Sequence, residues 1–91
     1  MLIFSRCKDK IINTKNVIGL SIDFEDYTTY SFAPPYEGTY YTIVAICDKK
    51  TIEIGRYETR DRAEEILKQL YHIYSEELRA NYETTFEMPE E

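Results

Sequence analysis

Few side chains in this sequence are arranged for bond-making chemistry, and the charged and aromatic ones are better placed for binding. His72 is the only histidine, so a metal site or a histidine-based triad has one imidazole to build on. It lies on the polar side of a helical pattern, four residues before Glu76, which is the ordinary spacing of a solvated helix pair. The adjacent acids Glu25-Asp26, Glu64-Glu65 and Glu76-Glu77 diverge in a strand or helix and do not converge on one substrate. Gly19, Gly38 and Gly55 are too dispersed for a phosphate-cradling loop. Cys7 and Cys47 have neither a C-x-x-C spacing nor a neighbouring histidine, so we read them as free buried thiols in a reducing compartment. These residues point to a non-enzymatic protein with no metal and no cofactor.

Binding chemistry is better represented. Arg6, Lys8 and Lys10 alternate near the start, and Arg56, Arg60 and Arg62 surround a strand-to-helix corner. Arg6, Arg56 and Arg60, with nearby tyrosines, form a candidate anion site for a phosphorylated, nucleotide-like ligand. The plainer reading pairs these arginines with surrounding glutamates. The stretch YTTYSFAPPYEGTYY, residues 27–41, holds six aromatics around a Pro-Pro turn. Tyrosine offers large contact area at low entropic cost. Tyr27, Tyr30, Tyr36, Tyr40 and Tyr41, with Ile43, are therefore the candidate partner-binding residues, and Tyr36 is expected on the loop itself.

Periodicity supplies the elements that must position them. In VIGLSIDFE, Ile18, Leu20, Ile22 and Phe24 alternate with non-apolar residues, the signature of a strand with one buried face. LIFSRC and KIIN read as earlier strands. TTYSF and TYYTIVAIC flank APPYEG as a long-looped hairpin, and Asp48-Lys49-Lys50 turns into TIEIGRY. TYYTIVAIC is apolar on both faces, so one face is the core and the other needs cover from a bent sheet, the C-terminal tail or a second molecule. The length of the Asp48-Lys49-Lys50 turn leaves open whether Tyr40 or Tyr41 faces inward. At Thr59 the period changes: Ala63, Ile66, Leu67, Leu70, Tyr74 and Leu78 form one stripe of a helix of about six turns, capped by Thr59 and ending near Asn81 or Tyr82.

Strands followed by one long helix predict an α+β fold, an antiparallel meander of five to six strands covered by the C-terminal helix, most like a pleckstrin-homology-like roll. With 91 residues, residues 1–82 are expected to form a single domain and 83–91 an acidic extended tail in which Phe86 and Met88 tack onto it. The net charge is −6, and residues 17–48 contain no Lys or Arg, which argues against nucleic-acid binding. No apolar run approaches a membrane span and the first residues lack a basic leader, so the expected compartment is the cytoplasm.

Taken together, SRCKDKIIN, IGRYETRDRAEEILKQL and FEMPEE resemble segments of a group of small proteins common in phages and prophages of Gram-positive bacteria. The resemblance covers both ends and leaves residues 20–48 largely unmatched. It implies a mobile-element setting and assigns no functional residue. The expected function is a non-catalytic protein-interaction module, phage-encoded, that inhibits or modulates a host factor such as a defence component. The rivals are a sponge for a nucleotide-like signal at an oligomer interface and a homodimer joined through the 39–47 strand surface.

Overall fold

The alternating segment VIGLSIDFE lies within a 13-residue strand, and the rest of the fold is arranged around it. In this computed structural model residues 1–29, 36–80 and 82–91 are described, with side chains for 1–26, 38–80 and 82–91. The elements are β1 (Leu2–Phe4), β2 (Ile11–Asn13), β3 (Val17–Thr29), β4 (Tyr36–Cys47), β5 (Thr51–Tyr57), α1 (Arg60–Ala80) and β6 (Thr85–Glu87), with one 3-10 turn over Thr14–Asn16. The α+β class and the long C-terminal helix are as expected. The strands, however, divide between two three-stranded sheets, β3-β4-β5 and β2-β1-β6, so the antiparallel meander has three strands and not five or six. Periodicity missed the split because β6 pairs parallel with β1, Leu2 against Thr85 and Ile3 against Phe86. Such pairing leaves no local turn to find.

Both sheets and the helix share one core. Ile3 and Ile12 from the first sheet, with Met88 just after β6, meet Ile43, Ala45, Ile54 and Tyr57 from the second, under Ala63, Ile66 and Leu70 of α1. Each fully buried Ile or Leu contributes about 1.5–3 kcal/mol. Thr59 caps α1 by accepting the Arg62 N–H at 3.2 Å, and Asp61 lies in the positive first turn. The meander turn is closed by Cys47 N–H donating to Lys50 C=O at 2.8 Å. Among the described non-glycine residues only Lys8 has positive φ, at 60°, in the turn that opens with Lys8 N–H donating to Ser5 C=O. That turn carries Cys7, which is exposed and not buried as expected, whereas Cys47 is half-buried.

Two bulges shape the second sheet. One between Val17 and Gly19 shifts the β3–β4 register and turns Ile18 outward, 72% exposed against the inward position its even number predicts. The other, between Ile43 and Val44 of β4, makes Ile54 the extra residue of β5. Its carbonyl accepts Arg6 N–H at 2.8 Å and so joins the two sheets. Beyond it, Gly55 lies beneath the Tyr57 ring, where a Cβ would stand 2.7 Å from the phenol oxygen and 2.8 Å from Cε2. The helix stripe also departs from expectation. Ala63, Ile66 and Leu70 are buried and Ile73 packs against the core, but Tyr74 and Leu78 are exposed. The inward place on the next turn belongs to Glu77, whose carboxylate accepts from the Met1 α-amino group at 2.8 Å and from the Thr84 hydroxyl at 3.1 Å.

Two outcomes follow for stability. Gly55→Ala forces the Tyr57 ring off its seat and is expected to cost about 1–3 kcal/mol in urea denaturation. The α-amino hydrogen bond, followed by the Thr84 contacts, holds the Glu77 carboxyl below its ordinary pKa against the opposing effect of burial. A depressed folded pKa gives stability that is present above the unfolded glutamate pKa and is lost as pH falls through the folded one. The urea midpoint should therefore drop as pH is lowered through and below the ordinary glutamate range, and Glu77→Gln should flatten that drop.

Candidate functional site

The meander is unequal in length, and this produces the most prominent surface. β5 ends at Tyr57 opposite Tyr41, while β3 and β4 continue as a two-stranded ribbon from Glu25 opposite Tyr40 to Thr29 opposite Tyr36. The molecule is accordingly long, 55 × 27 × 19 Å, with a radius of gyration of 15.0 Å against about 12 Å for a compact chain of this length. Asp23, Glu25 and Asp26 are exposed along β3, and Asp26 accepts a hydrogen bond from the Thr39 hydroxyl at 2.7 Å. Phe24 stands among them, 68% exposed.

The register decides between the central tyrosines. Tyr41 faces inward and packs on the core with its partners Phe24 and Tyr57 on the same face. Tyr40 faces outward, with the Arg56 guanidinium 5.0 Å from its ring centroid. Ile43, expected at the partner surface, is fully buried in the core. Tyr27 and Tyr36 occupy ribbon positions, Tyr36 as the first residue of β4 and not on a loop, while Tyr30 falls outside the described residues. The second apolar face of β4 needs no added layer: Thr42 and Val44 are buried, and the register sets Arg56 and Glu53 of β5 beside them.

A second surface lies at the strand-to-helix corner. Burial pushes the Tyr57 phenol above its ordinary pKa, against the opposing pull of Arg6 and Arg62, so the hydroxyl stays protonated and donates to Pro89 C=O at 2.8 Å. Arg6 lies 5.8 Å from the Tyr57 ring centroid and donates through Nε to Glu90 C=O at 2.6 Å. Arg62 Nε donates to Glu91 C=O at 2.7 Å. Parts of SRCKDKIIN and IGRYETRDRAEEILKQL and the end of FEMPEE therefore meet here. The chain matches no known protein family, no curated protein and no solved structure. Around the corner a cleft of about 430 Å³ brings Arg6 and Arg56 together with Arg62 and Tyr57. Arg60 is not part of its lining and pairs with Glu64 at 2.9 Å; Arg56 pairs with Glu53 at 3.0 Å.

The third surface was hidden from sequence reasoning. A groove of about 540 Å³ runs between the start of β3 and α1, lined by Val17, Ile18 and Leu20 on one side and Leu67, Tyr71 and Tyr74 on the other. Tyr71 is 75% exposed. Its signal was the second helical series Leu67, Tyr71, Tyr74, Leu78, which the expected stripe merged with the buried one. His72 is exposed, 3.4 Å from Glu76, and among the described residues no three His, Cys, Asp or Glu side chains gather as a metal-holding group. No described helix is long and apolar enough to cross a membrane.

The corner yields a direct test. Tyr57→Phe removes the donor to Pro89 C=O and is expected to cost about 1 kcal/mol. The Met88 amide, bonded to Phe4 C=O at 3.0 Å, should then exchange its hydrogen faster than in the wild type while the α1 amides change little.

Proposed function

We propose that this protein is a non-catalytic protein-interaction module that presents the β3–β4 ribbon to a protein partner. The observation that carries this reading is the ribbon's projection beyond the end of β5, with Glu25 and Asp26 exposed along it and Asp23 and Phe24 exposed at its base. A two-stranded ribbon gains little from its own burial, so an arm of this kind is suited to acquire its second layer from a partner. Acids flanking an exposed phenylalanine suit a partner surface with an apolar pocket rimmed by Lys or Arg, with the charges steering the encounter. The resemblance to phage and prophage proteins supports a host factor, such as a defence component, as that partner, and the host cytoplasm as the compartment. The corner cleft supports a nucleotide sponge less well, because Arg6 already donates to a tail carbonyl and Arg60 is engaged with Glu64.

The test uses the whole chain as bait in lysate of a Gram-positive host, beside a Glu25→Lys/Asp26→Lys variant with an unchanged circular-dichroism spectrum. The wild type should enrich a defined host protein, and the variant should lose at least about tenfold of that enrichment, the equivalent of one 1.4 kcal/mol step in affinity. Equal recovery by both baits, or no specific protein with either, rejects the reading.

A further inference from the structure

The groove beside α1 has a property that the ribbon lacks: one of its walls is an edge strand. Among the described residues β4 pairs with one side of β3 and no strand pairs with the other, so a row of main-chain donors and acceptors borders an apolar trough. The opposite wall is formed by Leu67, Tyr71 and Tyr74, and exposed Leu78 continues their side of the helix, so that the spacings of four, three and four are those of a seam that packs against another helix. Ile18 and Tyr71 are among the most exposed apolar side chains of the fold.

We propose that a second copy of this chain fills the groove, by antiparallel pairing of β3 with the β3 of the partner copy about a two-fold axis at Ser21. The two meanders then form one six-stranded sheet, and both α1 helices lie on the same face of it with their seams facing each other across the axis. With the axis at Ser21, Leu20 of one copy stands opposite Ile22 of the other, so apolar residues of the inward face meet apolar residues. Asp23 stands opposite Gly19. Moving the axis to Asp23 or Phe24 would place Asp23 against Asp23 or Glu25, and like charges directly opposite are destabilising. The acids thus confine the axis to the half of β3 that borders the groove.

Two further observations favour a second copy over a foreign strand. The Val17 end of β3 is flanked by Lys49 and Lys50 beside Asp48, and by Lys15, which also reaches Glu83 at 3.5 Å; the antiparallel arrangement lays these lysines along the Glu25-Asp26 end of the other copy. A single extended peptide would satisfy the strand edge but leave Tyr71 and Leu78 in water, whereas a two-fold copy brings its own helix seam to cover them. β4 cannot play this part as an edge, because β3 and β5 pair with both its sides.

Sedimentation equilibrium of the wild type, Ser21→Lys, Ser21→Asp and Tyr71→Glu tests the pairing, with circular dichroism showing that each variant is folded. The wild type should be a dimer. Each variant should weaken association at least about tenfold, and an equimolar mixture of Ser21→Lys and Ser21→Asp should re-associate, because opposite charges then meet at the axis. A wild type that stays monomeric at hundreds of micromolar overturns the proposal and leaves the groove to a foreign strand. Dimerisation unaffected by both Ser21→Lys and Tyr71→Glu also overturns it, and failure of the mixture to re-associate overturns the Ser21 axis.

Discussion

The Tyr57 ring lies over a position without a side chain, and much of this fold depends on that seat. Because Gly55 carries no Cβ, the ring reaches the strand backbone and its hydroxyl reaches the Pro89 carbonyl. The tail then lies where Arg6 and Arg62 can hold its next two carbonyls. With the tail fixed, Met88 fills the core and β6 docks on β1. The bulge at Ile54, just before this seat, turns a carbonyl toward Arg6 and makes the two sheets one unit. Aromatic packing over glycine, a single phenol donor and three main-chain acceptors are each modest in energy. They act together because all of them require the same ring position.

The same economy explains why apolar surface remains outside. A helix of 21 residues lies against a short meander, and its inward series closes on Glu77, held by the Met1 α-amino group. A carboxylate in that position is satisfied only by its ion pair and hydrogen bonds, so the core ends there. Leu67, Tyr71, Tyr74 and Leu78 fall on the neighbouring side of the helix. On the sheet side, β3 outruns β5, which leaves Glu25 and Asp26 without a third strand. The exposed groove and the exposed ribbon are both consequences of elements of unequal length packed on one small core.

Legibility in the sequence followed the range of the interaction that decides each feature. Thr59 as cap, the strand in VIGLSIDFE and the helix after Thr59 are set by residues a few positions apart, and they were readable. Ile18 was misplaced because one bulge residue inverts the alternation, and nothing local in VIGLS announces it. Tyr41 could not be separated from Tyr40 without the geometry of the turn closed by Cys47 and Lys50. Tyr74 and Leu78 were assigned to the core because they share a spacing with Leu70, while the competitor for that place, Glu77, is favoured only by Met1, at the far end of the sequence. Among the arginines, Arg6 and Arg56 do come together, but Arg62 completes their cleft and Arg60 does not, since four residues suffice to pair Arg60 with Glu64.

The parallel pairing of β1 with β6 also bears on how the molecule forms during synthesis. β1 leaves the ribosome before β2 and finds it at once, but its other side has no partner until α1 and then β6 have followed it out. The meander and the helix can associate in the meantime, because their contacts lie close together along the chain. A three-residue strand and its proline then dock onto a surface already assembled. A slow translation pause after α1 would hold the nascent protein with that side of β1 uncovered, in the form most open to chaperones or to pairing with another nascent chain.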